Sequence, residues 1–157
     1  MQRSQSSSTQ EVVEMRDRHK AKRIVVGTDG SPNARSAAHW AIENSQPGDT
    51  VLLLHVWHPY VYGNELGAAM TIDESVPTEL IDNEFKEFLP LAKDHQVMLK
   101  HALVQGEARI ELRDSDADLV VIGAKGHTGL SGLILGSVAS YVAAHSKVPV
   151  VIVPHHE

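Results

Sequence analysis

Between Asp118 and Pro154 the chain reads DLVVIGAKGHTGLSGLILGSVASYVAAHSKVPVVIVP, with glycines spaced as a phosphate-binding loop would need. Gly123 and Gly126 follow an apolar run, nine residues intervene, and Gly136-Ser137 stands where an alanine-rich helix opens. The first turn of a helix offers unpaired N–H groups and the positive end of the macrodipole, so phosphate is welcome there. Gly136, lacking a Cβ, lets such a group come close, and Ser137 adds a hydroxyl donor. On this reading Gly123 ends its strand where a side chain would hold a ligand off the backbone. Gly126 takes the positive φ that a tight reversal needs. The competing reading is a plain glycine-rich turn with an ordinary N-cap serine, since short motifs recur by chance.

The elements that must position this loop follow from pattern. Leu119–Ile122 and Val148–Val153 are apolar runs without alternation, which suggests strands covered on both faces, as in a parallel sheet. Arg23–Thr28 reads as the first strand, and Asp29-Gly30-Ser31-Pro32 supplies a turn, an N-cap serine and a proline at the first helical position. With Ser31 capping, Asp29 is free to point elsewhere; otherwise it is a second capping carboxylate. The helix that follows lines up Ala34, Ala37, Ala38, Ala41, Ile42 and Ser45 on one face. Thr50–Trp57 is the second strand, and residues 59–73 form a variable loop. Glu74–His95 has a helical pattern with Ile81, Phe85, Phe88 and Ala92 inward, and Pro90 should kink or end that helix. Gln96–Leu103 is a third strand, and Glu107–Ser115 leaves room for only about two helical turns. Strand–helix alternation predicts an α/β fold, an open five-stranded parallel sheet with helices on both faces.

The GxxG, nine residues, G[S/T] spacing at Gly123, Gly126, Gly136 and Ser137 resembles the nucleotide-binding signature of the universal stress protein family. The resemblance extends through RIVVGTDGSPNARSAAHWA, VLLLHVW and DLVVIGAKG, and covers about Arg23 to Pro154. It implies a Rossmann-like strand order 3-2-1-4-5, with the switch point between strands 1 and 4, where Asp29 and Gly123 both face the ligand crevice. It further implies that Asp29 and Val56 hold adenine, with Thr28 beside them in the nucleotide site. Gly123 and Gly126 would serve the ribose and phosphate backbone, and Gly136, Ser137 and Val138 the phosphates through main-chain N–H groups. Lys125 and His127 are near enough to reach a triphosphate, or are solvated loop residues. The implied ligand is ATP, or ADP or AMP, with Mg²⁺ as an optional companion. The resemblance also implies a homodimer through the strand Val148 to Val153, an apolar sheet edge that would otherwise invite aggregation. The shortened segment Glu107–Ser115 departs from the family's usual length, which puts the adjacent pocket wall in question.

Composition narrows the alternatives. The 157 residues suit one domain, and 42% hydrophobic and 22% charged residues are ordinary for a soluble globular protein. Residues 1–22 carry a net charge of +2 and a serine-rich start, and read as a disordered or loosely ordered tail ahead of a nucleotide-binding domain at 23–157. The formal charge of −6 therefore leaves −8 on that domain, which argues against nucleic acid as the main partner. No cysteine, no membrane-length apolar run and no signal-peptide core are present, so a cytoplasmic protein off the membrane is expected. His55 and His58 would point to opposite faces of a strand, which defeats chelation. The expected function is a stress-response signalling module that reports nucleotide occupancy to a protein partner. The alternative is a slow ATP hydrolase or nucleotide-transferring enzyme of a related fold. It is disfavoured because HxGH, SGGxDS, Walker and GxGxxG motifs are all missing, and no catalytic residue is assigned.

Overall fold

Strand β1 (Arg23–Thr28) sits at the centre of the sheet because almost nothing in it is polar: Ile24, Val25 and Val26 are buried on alternating faces. In the computed structural model, which describes residues 20–58, 61–63, 69–71, 75–126 and 135–154, it is followed by α1 (Pro32–Glu43) and β2 (Thr50–Trp57). Next come a two-stranded antiparallel hairpin, β3 (Val61–Gly63) with β4 (Ala69–Thr71), and α2 (Ser75–Asp94). Then follow β5 (Met98–Gln105), α3 (Ala108–Arg113), β6 (Leu119–Gly123), α4 (Ser137–His145) and β7 (Val150–Val153).

The main sheet has the order β5-β2-β1-β6-β7 and every pairing within it is parallel. Counted along this sheet's own strands, that is 3-2-1-4-5. One face carries Ile24, Val26, Val51, Leu53 and Val121 under α1 and α2. The other carries Val25, Leu54, Val120 and Ile122 under α3 and α4. Burial on both faces is the reason these strands lack an apolar–polar alternation. Helix α1 packs closely because Ala34, Ala37, Ala38 and Ala41 bring its backbone near the sheet. Ser31 caps it as expected, its Oγ accepting the Ala34 N–H at 3.2 Å.

Several expectations shift. Pro90 does not end its helix, which runs on to Asp94. Pro90 and Lys86 both face solvent, so water can satisfy the Lys86 carbonyl that loses its partner. The third strand starts at Met98 because Gln96 takes a left-handed φ of 57°. The Val97 N–H then donates to Ala92 O at 2.9 Å and the Gln96 N–H to Lys93 O at 3.0 Å, a Schellman closure made without glycine. The last strand starts at Val150, since Ser146 Oγ ties up Val148 in a turn before it. Part of the loop at 59–73 is the β3–β4 hairpin. Helix α3 has six residues, as short as its sequence allows. The tail expected at 1–22 falls mostly outside the described residues; of Lys20–Lys22, the Lys22 N–H donates to Asp49 Oδ1 at 2.7 Å.

Candidate functional site

At the carboxyl ends of β1 and β6, where the chain leaves the sheet in opposite directions, a cavity of about 280 Å³ opens between α1, α3 and α4. Leu54, Val56, Ala108, Leu112, Ile122, Val138 and Ala139 give it apolar walls. Thr28, Asp29, Gly123, Lys125, Gly126, Gly136 and Ser137 meet at its mouth and floor. Residues far apart in sequence are thus brought to one crevice by the crossover from β5 through α3 to β6, which lays β6 beside β1. His127 lies outside the described residues. Ala108, Leu112, Leu54, Ile122 and Ala139 were not singled out from sequence; their apolar type reads equally well as core.

The β1 side of the cavity is tightly tied. The Thr28 hydroxyl lies 2.5 and 2.7 Å from the two carboxylate oxygens of Glu84 on α2. Thr28 is 7% and Glu84 3% exposed. Burial pushes the Glu84 carboxyl above its usual pKa; the Thr28 hydrogen bond and the Arg35 charge oppose the rise, while Asp29 and Glu87 add to it. Asp29 is not free of the turn: its Oδ1 accepts the Ser31 N–H at 2.9 Å, while Ser31 itself caps α1. Its Oδ2 lies against Gly126, 2.6 Å from where a Cβ there would stand. Sequence reading missed Glu84. The signal was present: Glu84 follows Ile81 by three and precedes Phe88 by four, on the inward face of α2.

The glycines divide by what demands them. Gly126 gives room to the Asp29 carboxylate, which a Cβ would push aside, and the only described glycines with positive φ are Gly30 (77°) and Gly48 (92°), so the positive φ expected at Gly126 is not found. Gly123 is required by the chain itself, since a Cβ would stand 2.7 Å from the Asn33 carbonyl carbon. At Gly136 no described residue demands a glycine: a Cβ would meet Lys125 Cα at 3.4 Å and Ala124 O at 3.5 Å, ordinary contacts. Its φ of −62° suits any L-residue.

Gly136 caps α4 with no side-chain hydrogen bond to the first turn. Its own N–H donates to Ala124 O at 2.8 Å, and the Ala124 N–H donates to Val153 O at 2.9 Å, so the loop is stitched to β7. The Gly136 N–H is therefore engaged within the loop, and the first-turn N–H groups on cavity-lining residues of this helix are those of Ser137, Val138 and Ala139. Among the described residues no three His, Cys, Asp or Glu side chains gather as a metal site, and no helix is long and apolar enough to cross a membrane.

Comparison with known proteins agrees with this architecture. A universal stress protein of Methanocaldococcus jannaschii is 30% identical over 142 residues, 84% of this chain and 81% of that protein. One of Mycolicibacterium smegmatis is 29% identical over 131 residues, 83% of this chain and 45% of that protein, so the chain spans less than half of that relative. Among solved structures, a universal stress protein from Lactobacillus plantarum superposes with a TM-score of 0.64 at 22% identity, covering 86% of this chain and 99% of that one. A universal stress protein in complex with cAMP gives 0.59 at 24% identity, covering 88% and 100%. A family protein from Arabidopsis thaliana with AMP bound gives 0.56 at 15% identity, covering 85% and 92%. At these identities the structures speak to the fold. The profile of the universal stress protein family matches residues 20–154, and with the sheet order and glycine-lined crevice described above, the chain belongs to that family.

Proposed function

We propose that this chain is a cytoplasmic regulatory module of the stress response that binds an adenine nucleotide in the β1–β6 cavity and reports its occupancy to a protein partner. The observation that carries the reading is Gly136. Among the described residues no atom requires a glycine there, yet the residue stands at a helix N-terminus without a side-chain cap, beside an apolar slot. A ligand group needing that space is a physical reason for a hydrogen in place of a side chain. The reading draws support from fold relatives described in complex with cAMP and with AMP bound, both adenine nucleotides.

In this arrangement Asp29 and Val56 flank adenine, with Thr28 holding the strand end. Gly123 and Gly126 border the ribose and phosphate with their backbone, the space a side chain would need being taken by Asn33 and Asp29. The N–H groups of Ser137 and Val138 take phosphate oxygens, and Lys125 and His127 serve a triphosphate. Mg²⁺ would arrive on ATP itself, since no three-ligand cluster is found among the described residues. Calorimetric titration with ATP, ADP, AMP and cAMP tests the reading. Saturable binding by the wild type should fall at least about tenfold in Gly136→Val, the loss of roughly one charge-assisted hydrogen bond. A folded Gly136→Val protein with unchanged affinity would overturn it.

The reading extends to a homodimer. Strand β7 pairs with β6 on one side and ends the sheet on the other, an edge suited to antiparallel pairing with a second copy across a two-fold axis. Sedimentation at micromolar concentration should give the mass of two chains; a single-chain mass removes the dimer.

A further inference from the structure

Glu84 is a buried carboxylate outside the cavity wall, on a helix none of whose residues line the cavity. A charge taken out of water is costly unless paired, and Thr28 Oγ1 is the hydrogen-bond partner the structure gives it. Arg35, the cation acting on it, pairs with Glu87 instead. An apolar residue of similar size would fill the same place at lower cost, so the carboxylate calls for a reason other than stability.

Its surroundings supply one. Thr28 is the last residue of β1, and its Oγ1 lies 3.4 Å from the Gly30 N–H, across the turn that carries Asp29. Gly30 has a φ of 77° and packs so closely on Leu80 that a Cβ would stand 2.7 Å from Leu80 Cδ1. Leu80 and Glu84 are one helical turn apart and grip the same four-residue turn, one through packing and one through a hydrogen bond. Within that turn Asp29 Oδ2 abuts Gly126, which lines the cavity. A continuous line of contacts thus runs from α2 through Thr28 and Asp29 to the site.

We propose that Glu84 is a positioning residue for the nucleotide site: through Thr28 it sets the turn that aims Asp29 across the cavity. The proposal rests on the nucleotide reading above. It gives α2, which contributes no wall to the cavity, a direct hold on ligand affinity.

Glu84→Met keeps the volume, removes the buried charge and leaves the Thr28 hydroxyl without its acceptor. Isothermal titration with ATP should show an affinity about tenfold below wild type, while the thermal midpoint at neutral pH changes little, the buried charge removed offsetting the hydroxyl left unpaired. Glu84→Gln, whose amide can still accept from Thr28, should recover most of the affinity. A merely structural glutamate would instead move affinity and thermal midpoint together. Thr28→Val cuts the same link from the other side, so it decides the matter if the methionine variant does not fold; it too should bind about tenfold more weakly. Wild-type affinity in folded Glu84→Met or Thr28→Val, or a glutamine variant as weak as the methionine one, overturns the role of Glu84. Wild-type protein that binds no adenine nucleotide overturns the nucleotide reading itself, a separate result read first.

Discussion

The two walls of the cavity are built on opposite terms. On the β1 side the turn from Thr28 to Ser31 is saturated by the protein: Thr28 on Glu84, Asp29 on the Ser31 N–H, Gly30 packed on Leu80. On the α4 side the first helical turn has no side-chain cap, and the glycine that opens it touches its neighbours only at ordinary distances. One wall is held in position by internal contacts, and the other keeps space and donors in reserve. Glycine therefore means different things at positions the motif treats alike. Gly123 and Gly126 make room for the protein's own Asn33 and Asp29, and Gly136 makes room for none of the described residues.

The contrast can be broken most forcefully at Gly123. Gly123→Val would drive a side chain into the Asn33 backbone, which cannot yield without moving α1, and should cost about 3 kcal/mol in denaturant unfolding. If that variant is as stable as wild type, the packing account of the loop's first glycine is wrong. Gly136→Ala sharpens the comparison from the other side. It should cost about 1 kcal/mol or less, the difference between glycine and alanine at an N-cap, yet weaken ATP at least tenfold in the same titration that tests Gly136→Val. Equal destabilisation by Gly123→Val and Gly136→Val would erase the distinction between the walls.

The smallest effect belongs to Glu84 and concerns pH. Its carboxyl holds a proton more tightly folded than unfolded, because burial raises its pKa. The stability this contributes is present below the usual carboxyl pKa and is lost as pH rises through the raised folded value. Unfolding free energy measured across that range should decline in the wild type relative to Glu84→Gln, which has no proton to lose there. Parallel curves for the two proteins would show that the buried carboxyl is not titrating differently in the folded state.

Much of this was legible in local pattern. Ser31-Pro32 marked the start of α1, the alanines at 34, 37, 38 and 41 marked its buried face, and unbroken apolar runs marked strands buried on both sides. Local rules failed where a distant partner or solvent changed the balance. Pro90 stays within α2, where it and Lys86 are both exposed and water can replace the lost bond, and Gln96 does a glycine's work because two hydrogen bonds close the helix over it. In the site, the motif located Gly123, Gly126, Gly136 and Ser137 but misassigned two reasons, the positive φ at Gly126 and the free N–H at Gly136.

By itself the sequence determined the class of fold, the capped start of α1, the glycine spacing and the shortness of α3, since each depends on neighbours within a few residues or on periodicity. Only the tertiary structure decided what each glycine is for, that Thr28 is bound to Glu84 across 56 positions, and that Asp29 faces Gly126. Those are contacts between segments brought together by the crossover from β5 to β6, which lays β6 beside β1, and by the packing of α2 on the sheet. No local pattern carries the distance between two such atoms, because it is set by how whole elements pack.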